Sequence, residues 1–235
     1  MPDVDLHVFG VEAVFHTLTP LLEFKLRVTA SPVDAVINGL LLHAQIQLEC
    51  PQRAYTSTEK SKLTELFGTP DQWGQTLRNR LWTHAHTTLG AFSGSAECLL
   101  SVPCTYDLNV AAAKYLYALE AGDVPLLFLS SGSVFYSSAQ GQLQVAPIPW
   151  DKECSYKLPV HAWRELMERH YPNTAWVTLA RDVFDELYAF KRDAGCVSLD
   201  QAVQKLLVTA SGTQRQPGGQ DHRPEPRINK EELVP

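Results

Sequence analysis

Leu22-Glu23-Phe24-Lys25-Leu26-Arg27-Val28 puts four apolar side chains on one side and three charges on the other. In an extended chain successive side chains point to opposite faces, so this alternation means a strand with one buried and one wetted face. Two other stretches repeat it. In residues 40–50, Leu40, Leu42, Ala44, Ile46 and Leu48 oppose Leu41, His43, Gln45, Gln47 and Glu49. In residues 96–102, Ala96, Cys98, Leu100 and Val102 oppose Glu97 and Ser101. Strands wetted on one face belong to antiparallel sheets. Residues 124–136 and 143–148, bounded by Ala121-Gly122-Asp123 and Gln140-Gly141, add two strands. The first of these is nearly unbroken in apolar residues and reads as a central strand covered on both faces.

Helical spacing interrupts and then follows the strands. Residues 58–67 end at Gly68, a left-handed C′ residue. Thr69-Pro70-Asp71-Gln72 reads as a capping box that launches a helix through about Trp82, with Trp73, Leu77 and Leu81 on one stripe. Leu108, Ala112, Tyr115 and Leu119 mark a helix over 108–120. The stripe of Val160, Trp163, Met167 and His170 marks another, and that of Val183, Phe184, Leu187 and Tyr188 a third. Ser198-x-x-Gln201 caps a last one. Strands first and helices mostly later define an α+β fold built on an antiparallel sheet. The expected layout is a β-rich domain over 1–157 with a helical insertion at about 54–92, then a helical block over 158–208 packed on it.

From Thr209 the composition changes. The last 27 residues hold four prolines, three glycines and no aromatic, with four charges of each sign. Such a segment buries too little apolar surface to offset backbone ordering, about 1–2 kcal/mol per residue, so 209–235 is expected to be a disordered tail. The chain as a whole has 235 residues, is 45% hydrophobic and carries a net charge of −6. No apolar run approaches the roughly 18 residues of a membrane span, and the start lacks the basic and apolar regions of a signal peptide. Five scattered cysteines (Cys50, Cys98, Cys104, Cys154 and Cys196) suit a reducing cytoplasm. The acidic balance without a Lys/Arg block argues against nucleic acid as a partner.

Motifs for common chemistry are missing. Neither Gly-rich phosphate loop occurs, nor G-x-S-x-G, C-x-x-C, H-E-x-x-H or an EF-hand loop. No catalytic residue and no cofactor is assigned. The one ligand-like cluster is Trp82-Thr83-His84-Ala85-His86. On a strand, His84 and His86 would share a face, with Cys98 or Cys104 as further ligands; polar surface histidines are the plainer account. Cys104 follows a strand and precedes a helix, a place where a thiolate can be stabilised, although a buried structural thiol is the favoured reading.

Several segments resemble an uncharacterised bacterial family, a domain of unknown function common in actinobacteria. They include Glu23-Phe24-Lys25-Leu26-Arg27-Val28, Leu66-Phe67-Gly68, Trp82-Thr83-His84, and Val102-Pro103-Cys104-Thr105-Tyr106-Asp107. Val124-Pro125-Leu126-Leu127-Phe128-Leu129, Pro147-Ile148-Pro149-Trp150-Asp151-Lys152-Glu153 and Trp163-Arg164-Glu165-Leu166-Met167 extend the resemblance over roughly residues 5–208. Genes of that family tend to lie beside those of actinobacterial-type [NiFe]-hydrogenases and their maturation factors. The order of strands, Pro103-Cys104, a Tyr-containing helix and the Pro-Leu-rich run also resembles the export chaperone SecB. The resemblance implies a non-catalytic accessory protein that binds hydrogenase subunits or maturation factors, with self-association open. Tyr106, Tyr136 and Trp150 are the candidate groove residues. The alternatives are a metal-handling protein or enzyme using the His84/His86/Cys104 region, and a structural subunit of a hydrogenase complex.

Overall fold

Phe24 meets three aromatic rings from across the core: Phe128 at 5.2 Å, Tyr156 at 5.9 Å and Trp82 at 6.3 Å between centroids, all edge-on. This contact joins two sheets face to face. In the computed structural model, which describes residues 2–138, 140–149 and 151–213, one sheet is ordered β1 (Asp3–Val14), β2 (Leu21–Ser31), β5 (Ser95–Pro103). The other is ordered β4 (Arg80–Leu89), β3 (Ile37–Leu48), β6 (Asp123–Ser137), β7 (Leu143–Pro147), with β8 (Glu153–Pro159) also paired to β6. β6 holds both because its 15 residues give β7 one end and β8 the other. Among the described residues every strand pairing is antiparallel. The α+β reading with an antiparallel sheet is therefore correct, in the form of two layers rather than one.

The alternating runs supply the core as their period dictates. Leu22, Phe24, Leu26 and Val28 are buried in β2, and Leu40, Leu42, Ala44, Ile46 and Leu48 in β3. Each fully buried Leu, Val or Phe contributes roughly 1.5–3 kcal/mol of transfer free energy. At Gly132, in β6, φ is +146°, and an added Cβ would lie 1.9 Å from the Leu41 carbonyl oxygen. Only glycine lets the two backbones approach there.

Helices close one end. α1 (Ser57–Phe67) starts at a capping box formed by Thr56 and Glu59, not Thr69 and Gln72. Thr69 makes no side-chain cap, only a short 3₁₀ turn (Pro70–Gln72) follows, and α2 (Trp73–Thr76) stops early. The expected helix through Trp82 is thus replaced by β4 from Arg80. Its β-branched and aromatic residues favour a strand, and a register shift opposite Ile46/Gln47 accompanies Trp82, which is buried.

Glu59, 1% exposed, binds Arg53 at 2.8 Å and accepts from the backbone N–H groups of Thr56 and Glu120. Arg53 also donates to the carbonyls of Ala121 and Asp123. Burial alone would raise the Glu59 carboxyl, but the two N–H donors and the guanidinium together hold it below its ordinary value.

α3 (Val110–Ala118) is capped by Asn109, which accepts from Ala112 N–H while its amide donates to the carbonyls of Leu81 and Trp82. α4 (Val160–His170) buries Val160, Trp163, Leu166 and Met167 and lies against β1, β2, β8 and α3.

The chain divides after Trp176 into two compact units, so α4, grouped with the later helices by its periodicity, belongs to the sheet unit. The second unit contains α5 (Arg181–Asp193) and α6 (Leu199–Thr213), packed on each other through a turn that includes Gly195. α6 extends through residues 209–213, where disorder was expected. The Thr209 and Ser211 hydroxyls donate back to the carbonyls of Lys205 and Leu207, as hydroxyl residues inside a helix commonly do. The remainder of the expected tail, 214–235, lies outside the described residues.

Candidate partner-binding surface

α3 is apolar on two sides. Ala112, Tyr115, Leu116 and Ala118 face the core, and the stripe Val110, Ala113, Lys114, Tyr117 lines a cleft of about 60 Å³ with Tyr106, Ala175 and Trp176. That space equals about two water volumes, room for one small apolar side chain. Tyr106 is anchored rather than loose: its ring lies 5.3 Å from Tyr171 and 6.4 Å, edge-on, from the buried Trp163. Burial pushes its phenol up, helped by Tyr117, Glu168 and Tyr171 nearby.

The segment after α4 forms the far wall. Thr174 bonds back to the Tyr171 carbonyl through both its N–H and its hydroxyl, and Asn173 N–H donates to Glu168. Tyr117 is 55% exposed and Trp176 42% exposed. Rigid aromatic side chains held half out of a surface are what protein-binding surfaces concentrate.

The other residues singled out from the sequence lie elsewhere. Tyr136 pairs with Ile37 at the start of β3 and lines a separate cleft with Pro32, Val36 and Gln144, at the end of the sandwich away from α3. Trp150 lies outside the described residues. Cys104 is buried, its thiol donates to the Val102 carbonyl, and burial pushes it up to about 12. Cys98, raised by burial to about 11, packs against the core from β5. Neither thiol is poised as a thiolate, and neither accompanies the histidines, which occupy the solvent face of the other sheet. There His86 stands directly across from His43, with ring centroids 6.1 Å apart, and His84 is opposite Gln45. Among the described residues no three His, Cys, Asp or Glu side chains converge for a metal ion. No described helix is long and apolar enough to cross a membrane.

Sequence reading missed Tyr117, Trp176 and His43. For Tyr117 a signal existed, since a helix with apolar residues on opposite faces needs cover on both. His43 sat openly on the wetted face of its strand, but strand register is not readable from one run. Trp176 reaches α3 only through the fold-back after α4.

An antiparallel two-layer β fold with a helical end and an aromatic cleft defines the class of protein. Within it the chain belongs to the family of unknown function DUF6084, which matches residues 1–215. No curated protein matches the chain. Among solved structures, a putative late embryogenesis abundant protein is 15% identical, with a TM-score of 0.30 over 68% of this chain and 72% of that one. The putative ApaA protein of Bordetella pertussis is 10% identical, with a TM-score of 0.25 over 67% and 95%. β-Glucosidase 3B of Thermotoga neapolitana is 12% identical, with a TM-score of 0.23, and the match spans 67% of this chain but 17% of that enzyme. At these scores the likenesses carry no argument about function.

Proposed function

We propose that the protein is a non-catalytic accessory protein that holds an apolar side chain of a partner polypeptide in the cleft between α3 and Trp176. The observation that supports this most is the half-exposed aromatic frame of Tyr106, Tyr117 and Trp176 around an apolar floor. Such a frame buries apolar area at small entropic cost, because each aromatic has few rotamers to lose. The family resemblance supplies the partner class: a subunit or maturation factor of a [NiFe]-hydrogenase, bound during assembly.

A tagged full-length chain, expressed in a host that carries such a hydrogenase, tests the reading. The wild type should enrich a hydrogenase subunit or maturation factor, and the Tyr117→Asp/Trp176→Asp variant should lose most of that enrichment while keeping its circular dichroism. Wild-type eluates free of every hydrogenase component would overturn the partner class. Equal capture by the variant would overturn the cleft.

A further inference from the structure

We propose that His43 and His86 form a two-imidazole surface site for a divalent transition-metal ion that imidazole binds well, Zn²⁺ or Cu²⁺. The pairing is fixed by register, since His43 of β3 lies directly opposite His86 of β4. Opposed residues in antiparallel strands have Cβ atoms about 4.5–5.5 Å apart, the spacing at which two imidazoles can take one ion. With a metal–nitrogen distance of about 2.0–2.1 Å, an ion lies about 3.2 Å from each ring centroid, so two rings sharing it have centroids roughly 5–6 Å apart. The observed separation is 6.1 Å, with the rings tilted by 39°. This lies just above that range, so the two rings must turn toward each other to share an ion.

The surroundings favour a cation. Both rings open into a depression of about 400 Å³ whose other lining residues are Ala44, Gln45, His84, Ala85, Leu129, Ser130 and Ser131. No Lys or Arg lines it, so nothing there repels an incoming ion. The platform is rigid, because β3 is hydrogen-bonded on both sides, to β4 and to β6. Ala44 and Ala85, whose side chains are buried on the opposite face, are themselves opposed and hold the two strands at this spacing. His84 stands two residues from His86 on the same face, about 6.6 Å along the strand. The site thus offers two imidazoles, with water completing the shell. That is an open coordination sphere, unlike the closed four-ligand cage of a structural zinc. Thiolates play no part, which separates this site from the cysteine-containing one that sequence alone suggests.

Titrating the full chain with ZnCl₂ in a buffer that does not chelate tests the site. One ion per chain should bind, and His43→Gln and His86→Gln should each weaken it by at least about tenfold, the loss of one of two cooperating ligands. His84→Gln and His161→Gln should each leave it within about twofold of the wild type. As these positions are on the solvent face, the variants should keep the wild-type circular dichroism and melting point without metal. Zn²⁺ should raise the melting point of the wild type but not of the His43→Gln/His86→Gln variant. With Cu²⁺ in place of Zn²⁺, electron paramagnetic resonance should show hyperfine coupling to two imidazole nitrogens, reduced by one in either single variant. No uptake by the wild type, or uptake unchanged in the double variant, would overturn the proposal.

Discussion

Phe24 in the sandwich and Phe184 in the helical hairpin are the same side chain in opposite circumstances: the first is 0% exposed, the second 41%. The contrast runs through both units. β2, and β3 from Leu40 on, bury every second residue, whereas α5 buries none, and Val203, Leu206, Leu207 and Val208 of α6 are exposed. Ala202 is 0% exposed, alone in this among the described residues of the hairpin. Pieces of fewer than about 40 residues seldom hold their fold unaided, and a hairpin of helices of 13 and 15 residues falls below that size. The lesson is that amphipathic pattern alone does not make a core; the strands have a facing layer within their own unit, whereas two short helices packed on each other bury little.

The sharpest way to break the contrast is inside the sandwich. Phe24→Ala should cost about 3–5 kcal/mol in urea unfolding, because four rings from both sheets lose their common contact. A loss below about 1 kcal/mol would show that the layers do not depend on it.

A comparable loss, also about 3–5 kcal/mol, is expected for Glu59→Ala, since it strands the buried Arg53 and two backbone N–H groups. The pH dependence has a definite sign. The folded carboxyl lies below its ordinary value near 4.5, so its contribution is complete above that value and disappears as pH falls through the folded one. Wild type should therefore lose stability on acidification below about 4.5 more steeply than Glu59→Gln. Parallel acid limbs in the two proteins would refute this.

The smallest effect belongs to the hairpin. Phe184→Ser with Leu207→Ser should move the unfolding midpoint of the sandwich by less than about 0.5 kcal/mol, as exposed substitutions do. A cost above about 2 kcal/mol would mean that the hairpin unfolds with the sandwich as one unit.

The alternating runs at 22–28, 40–50 and 96–102 were legible because period two has one physical reading when charges mark the wet face. β1 was not read: its inward residues Val4 and Val8 fall out of phase with Val11 and Ala13 at the shift between Val8 and Gly10. β8 was hidden by its length of seven residues, by Pro149 shortly before it and by Pro159 as its last residue. Trp73, Leu77 and Leu81 share a helical spacing, yet Leu77 is already extended at φ −75° and ψ 105°. The tertiary demand for β4 beside β3 overrode that local pattern. Tyr106 and the near wall of its cleft, Val110 to Tyr117, lie close in sequence, whereas the far wall, Ala175 and Trp176, comes from beyond α4 and could not be placed there from the sequence. Pairing of His86 with His43 depends on register, a property of two strands together.

Lys152 reaches back to Asp3 and Asp5, at 2.8 Å each, across 149 and 147 residues of chain. At translation rates of about 5–20 residues per second, the first strand is made roughly 7–30 s before the lysine that clasps it. β3 likewise waits for β6, so the leading hairpin leaves the ribosome with its apolar side still uncovered. Nascent chains of this protein should therefore engage holdase chaperones until synthesis has passed the end of β8, and be released soon after.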